Sequence, residues 1–185
     1  NKMPGLGEDK FSNLKAGYTF MLGHPGKKLL FMGQDFGQWH EWDEKVSLDW
    51  YLAEEESHKK LQEYVRDLLH LYKKYPCLYQ LDNDWNGFQW INANDGDRSI
   101  FSFIRKDETG KKNLLFVVNF TPVDRPDYRV GVPKRCKLSL LLDNFHGSYK
   151  PSQCPTYTSV KSECDGQPYS ISYPLGGYGT AIFRF

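Results

Sequence analysis

The sequence predicts a mixed fold: a short β/α portion of the kind found in barrels, followed by an all-β sandwich. Three observations carry this. Two stretches of helical periodicity flank the apolar run Leu29–Met32, which breaks at Gly33 into a loop crowded with acids, amides and tryptophans. A buried strand that runs into polar residues at its C-terminal end is the local signature of an α/β barrel strand, whose functional side chains sit on the following loop. Beyond Pro76 the period changes to two, and short apolar segments alternate with turn dipeptides to the end of the chain.

The elements follow in order. Asp9 is a candidate cap for a helix whose apolar positions Phe11, Leu14, Tyr18 and Met21 or Leu22 recur at three- and four-residue steps, ending before Gly23. His24-Pro25-Gly26 closes that helix as a turn, and Leu29–Met32 reads as a strand buried on both faces. The loop 34–49 is long for a plain connection and holds Phe36, Trp39 and Trp42 among Asp35, Glu41, Asp43, Glu44 and Asp49. A second helix is predicted over 55–75, with Leu61, Tyr64, Val65, Leu68, Leu69 and Tyr72 on one face.

Strands are then predicted over 87–92, 100–105, 114–120, 127–132, 138–142, 169–173 and 180–185, with turns at Asn94-Asp95-Gly96, Thr109-Gly110 and Gly176-Gly177. The chain thus divides into residues 1–77 and residues 78–185, and the second region is expected to fold by itself. The first lacks partners for its strand, because a lone strand leaves backbone donors and acceptors without a ladder. Those partners are expected upstream of Asn1, in a missing N-terminal part of a barrel. Failing that, the segment is expected to be mobile, to self-associate, or to repack on the β region.

Composition narrows the function. With 39% hydrophobic and 16% aromatic residues the chain has ample material for a core, and no window approaches the run of apolar residues a membrane span needs. A net charge of +1 with both signs interspersed offers no field for a nucleic-acid partner. The N-terminal decapeptide lacks the apolar centre of a signal peptide, so a cytoplasmic location is expected. Cys77, Cys136, Cys154 and Cys164 form no C-x-x-C pair and the histidines are scattered, which predicts reduced thiols and no metal site.

The run Leu29-Leu30-Phe31-Met32-Gly33-Gln34-Asp35-Phe36-Gly37-Gln38, with Glu41-Trp42 and Ser47-Leu48-Asp49-Trp50, closely resembles the bacterial 1,4-α-glucan (glycogen) branching enzymes of the α-amylase superfamily. The likeness extends through Asn1-Lys2-Met3-Pro4-Gly5, Gly23-His24-Pro25-Gly26-Lys27-Lys28, Arg66-Asp67-Leu68, Asn119-Phe120-Thr121-Pro122-Val123 and Asp127-Tyr128-Arg129. It implies a chain made of the C-terminal end of a (β/α)8 TIM barrel and the complete all-β domain that follows it, with Lys28–Met32 as the eighth barrel strand. It also implies a parent activity: cleavage of an α-1,4-glucan and transfer of the segment to a 6-hydroxyl. The family's nucleophilic Asp, acid/base Glu and further sugar-binding Asp follow the fourth, fifth and seventh strands, and none of their motifs occurs here. No catalytic residue is therefore assigned, and the chain alone is expected to be inactive. The same resemblance admits a hydrolase of the superfamily, such as a maltooligosyl-trehalose hydrolase, while a free-standing glucan-binding module would require exposed Trp39 and Trp85.

Substrate contact is expected at Gln34, Asp35, Trp39 and Trp42, with an α-glucan as ligand and no cofactor. Asp35 and Glu41 are poor candidates for proton transfer, since loop acids of this kind commonly satisfy backbone groups. Trp39 is expected to be more exposed than Trp42 and Trp50, which belong to the family's repeating loop pattern. Phe88 and Trp90 share one strand face and read as core, whereas Trp85 stays open as a surface platform. Lys27-Lys28 and Lys73-Lys74 are read as solvated ends, and the Asn119–Pro122 box as turn chemistry.

Overall fold

A computed structural model describes residues 2–185; Asn1, the first residue of the Asn1–Gly5 motif, lies outside the described residues. Two helices, α1 (Glu8–Gly23) and α2 (Glu56–Lys74), precede nine strands: β1 (Phe88–Asn92), β2 (Ile100–Arg105), β3 (Leu114–Asn119), β4 (Arg125–Val132), β5 (Lys137–Asp143), β6 (Gly147–Ser148), β7 (Thr156–Thr158), β8 (Tyr169–Leu175) and β9 (Thr180–Arg184). The larger sheet runs β1-β2-β3-β9-β5-β6, with β7 also on β5, and a separate antiparallel ribbon pairs β4 with β8.

The period-two alternation places the chain in three layers. Along β3 and β9, Leu114, Phe116 and Ile182 point to the helices, whereas Leu115, Val117, Ala181 and Phe183 point to the β4–β8 ribbon. Every residue of β3 is consequently buried. In β5 the register slips between Leu140 and Leu142 against β9, which turns Leu142 to the helix side while Leu138 and Leu140 face the ribbon. The strands predicted beyond Pro76 are all present; β6 and β7, too short to show a period, are additions.

The helices lie on the larger sheet and share its core. Phe11, Tyr18 and Leu22 of α1 and Leu61, Tyr64, Val65, Leu68 and Leu71 of α2 form one cluster with Phe103, Phe116, Leu142 and Ile182. Gly23 sits so close to the sheet that a Cβ would meet the Phe116 ring at 2.6 Å. A buried hydroxyl chain ties the three elements: Thr19 Oγ1 lies 2.6 Å from the Tyr64 hydroxyl, which lies 2.9 Å from Thr180 Oγ1. The Arg105 side chain, fully buried, donates to the Gly23 carbonyl at 2.8 Å and to Asp82 Oδ1 at 2.7 Å.

Several expectations are corrected. The N-cap of α1 is Gly7, and Asp9 lies inside the first turn, where its charge complements the helix's positive end. Leu29–Met32 is not a strand: among the described residues no strand lies alongside it, and without a ladder the segment runs as irregular chain with Leu29 75% and Met32 52% exposed. Only Leu30 packs against the helical core. Lys28 is only partly solvated; it donates to the His24 carbonyl and lies 5.7 Å over the Tyr72 ring. Burial pushes its pKa down to about 8, an effect Asp82 opposes and Arg105 reinforces. His24 closes α1 as expected, its N–H donating to the Phe20 carbonyl at 2.8 Å.

Candidate functional site

The predicted loop forms a cleft of about 480 Å³ against α1. Its floor is set by a 3₁₀ turn, Gln34–Phe36, held between Gly33 (φ 76°) and Gly37 (φ 69°), left-handed conformations that glycine adopts without strain. The Gly37 N–H donates to the Gln34 carbonyl at 3.2 Å and the Gln38 N–H to the Gly33 carbonyl at 3.0 Å. Phe36, wholly buried, pins the turn to the core.

Of the four predicted contact residues, Gln34, Trp39 and Trp42 line the cleft, and Asp35 does not. Gln34 spends its Oε1 on the Phe31 N–H at 2.9 Å, and its carbonyl accepts from the Tyr18 hydroxyl at 2.6 Å. Asp35 turns to α2 and accepts from Gln62 Nε2 at 3.0 Å. Trp39 is half-buried, edge-on to Phe11 at 5.8 Å and to His58 at 5.2 Å. Trp42 is 42% exposed and meets Phe31 edge-on at 5.2 Å; Trp50 is 58% exposed beside Phe36. The expected order of exposure is thus reversed: Trp39 reaches back into the gap between the helices, where apolar neighbours take it up, and Trp42 and Trp50 have no such gap to fill.

Sequence reasoning missed Tyr18, Phe31 and Gln38 as lining residues. Tyr18 sits on the buried stripe of α1, and only its polar tip reaches the loop; burial and the nearby Asp35 push its pKa up to about 12. Gln38 braces the far side, accepting from the Asp49 N–H at 3.0 Å and donating to the His40 carbonyl at 3.1 Å. His40 Nδ1 lies 2.8 Å from Asp49 Oδ2.

The cleft offers aromatic faces, which suit the apolar C–H faces of a polyhydroxylated ring, while the Tyr18 hydroxyl and the Gln38 amide are engaged in holding the loop. Among the lining residues Glu41 is the only carboxylate, and it pairs with Lys2, whose hydrogen bond holds its pKa below the ordinary carboxylate range. Retaining glycosyl transfer needs two carboxyl groups roughly 5–5.5 Å apart, so this cleft has no such pair of its own.

A second concavity, about 340 Å³, lies at the other end of α1 between His24, Pro25, 82–84, Trp85, Phe88 and Trp90. Trp85 is 88% exposed there. Phe88 and Trp90 pack on Phe103 as a core pair would, though Trp90 keeps an open edge. The Asn119 box is turn chemistry: buried Asn119 donates to the Val123 and Gly176 carbonyls and accepts from the Thr121 N–H and hydroxyl. The cysteines are unpaired.

Residues 90–185 match the family described as the alpha amylase C-terminal all-beta domain. The whole chain is 49% identical to the 1,4-alpha-glucan branching enzyme GlgB of Butyrivibrio fibrisolvens, of which it covers 29%, and 40% identical to that of Halothermothrix orenii, of which it covers 30%. It is 52% identical over 72% of its length to the Aquifex aeolicus enzyme, covering 21% of that protein. The chain therefore spans less than a third of the length of these curated relatives. Among solved structures, AmyP in complex with maltose shares the fold at a TM-score of 0.61 and 15% identity, over 95% of this chain and 35% of that one. An alpha-amylase from H. orenii does so at 0.59 and 16%, over 96% and 36%. The chain belongs to the family of the alpha amylase C-terminal all-beta domain, and over its whole length it matches the C-terminal part of the glycogen branching enzymes.

Proposed function

We propose that this chain is the part of a cytoplasmic 1,4-α-glucan branching enzyme that completes the catalytic barrel with residues 1–77, supports it with the β region 78–185, and contributes one wall of the glucan site. The parent reaction cuts an α-1,4 chain and moves the released segment to a 6-hydroxyl. The catalytic carboxylates belong to the rest of the barrel, and the role of this chain is to hold glucan.

The observation that carries the reading is the convergence of Gln34, Trp39 and Trp42 on one cleft at the end of the Leu29–Met32 segment. The exposed apolar side chains of that segment are what a neighbouring barrel strand would cover. Isothermal titration of the chain with maltoheptaose tests the cleft. Trp42→Ala is expected to weaken binding roughly 5- to 10-fold, the value of one ring face; equal affinity in both proteins would remove the cleft from the glucan site.

The exposure of Trp85 favours a second reading, a surface glucan platform on the 340 Å³ concavity. The same titration separates the two. Weakening by Trp85→Ala with no effect of Trp42→Ala selects the platform.

A further inference from the structure

We infer that His58 is a positioning residue for the cleft: from inside α2 it fixes both the turn that floors the cleft and the tryptophan that walls it. The inference rests on the glucan-site reading above. The imidazole is almost fully buried, and its Nδ1 lies 2.7 Å from the Phe36 carbonyl. A carbonyl only accepts, so Nδ1 carries the proton and donates. That bond holds the last residue of the 3₁₀ turn, directly before Gly37 and Gln38. The other contact is the ring of Trp39, edge-on at 5.2 Å, with Phe11 completing the enclosure at 4.9 Å.

The remaining nitrogen distinguishes this arrangement from ordinary packing. Nε2 is buried with no hydrogen-bond partner among the described residues, and the nearest acid, Glu55 Oε2, is 3.9 Å away. For filling space between Phe11 and Trp39, an apolar ring would serve as well and would leave no nitrogen unsatisfied. Among the described residues, the one hydrogen bond the buried ring makes is with the cleft loop. A histidine here therefore makes sense as a strut to that loop, and α2 becomes the element from which the geometry of the cleft is set.

The test uses the full chain, maltoheptaose affinity and amide exchange at Gly37 and Gln38, whose N–H groups close the turn. His58→Phe keeps a ring and removes the donor. It is expected to weaken binding about 10-fold and to speed exchange at both amides, with Trp42 left exposed as before. His58→Asn sets an amide N–H where Nδ1 was and is expected to restore slow exchange; His58→Gln sets it at the Nε2 position and is not. Unchanged affinity and exchange in His58→Phe would overturn the inference. Should His58→Phe fail to fold, the Asn and Gln variants decide: faster exchange in Gln than in Asn supports the strut, and equal exchange overturns it. Failure of the parent chain to bind maltoheptaose would instead count against the glucan reading, while the exchange arm still judges His58.

Discussion

Arg105 and Asp82 meet at 2.7 Å, with the arginine wholly buried and the aspartate nearly so. The same guanidinium holds the end of α1 through the Gly23 carbonyl at 2.8 Å and reaches the Gly87 carbonyl at 3.3 Å. One side chain of the sheet thereby fastens the last turn of a helix, the connecting segment and the entry to β1. Asp82→Ala strands the guanidinium without its counter-charge, and a loss of about 3–5 kcal/mol is expected. Urea denaturation measures it as a lower midpoint at unchanged slope.

Asn119 gives a test of hydrogen-bond polarity. Its amide faces two carbonyls and its oxygen faces two donors, so Asn119→Asp places an acceptor against the Val123 and Gly176 carbonyls. A loss of about 2–4 kcal/mol at pH 7 is expected, shrinking as acid protonates the new carboxyl and lets it donate. Equal loss at pH 4 and pH 7 would contradict the assignment.

Lys28 predicts a pH dependence of opposite sign to that of the buried tyrosines. Its pKa is lowered from 10.5 to about 8, so between those values the unfolded chain holds more protons than the folded one, and stability rises with pH. The cost of burying the ammonium is full below pH 8 and fades towards pH 10.5. Lys28→Met is therefore expected to be more stable than the parent at pH 7 and to converge with it above pH 10, as read by thermal melts across that range. A constant difference would show that Lys28 does not titrate there.

Trp39 and Trp42 should separate packing from ligand contact. Trp39→Ala removes a ring wedged against Phe11 and His58 and is expected to cost roughly 2 kcal/mol, whereas Trp42→Ala stays within about 0.5 kcal/mol. Paired urea curves check the contrast.

The legible parts of this chain were those in which local pattern and tertiary demand agree. β2, β3 and β9 have neighbours on both sides, so β-branched and aromatic runs meet the ladders they call for. Leu29–Met32 carries the same apolar signal with no adjacent strand among the described residues, and pattern alone cannot report a partner. Arg105 was illegible for the opposite reason. A charge at the end of an apolar strand reads as a solvated terminus, and only the approach of α1 and of Asp82 makes burial feasible. At the cleft, the loop and three of its lining residues were evident from their chemistry. The orientation of Asp35 and the depth of Trp39 depended on Gln62 and His58, both on a helix distant in sequence.

The shared core of α1, α2 and the sheet carries a thermal consequence. Phe103, Leu114, Phe116, Leu142 and Ile182 lose their cover if the helices leave, so each layer is stabilised by the other, against the expectation that residues 78–185 fold by themselves. Heating should then give one calorimetric peak, with the van't Hoff enthalpy equal to the calorimetric one. Cooperativity, in this chain, runs across the boundary at residue 77.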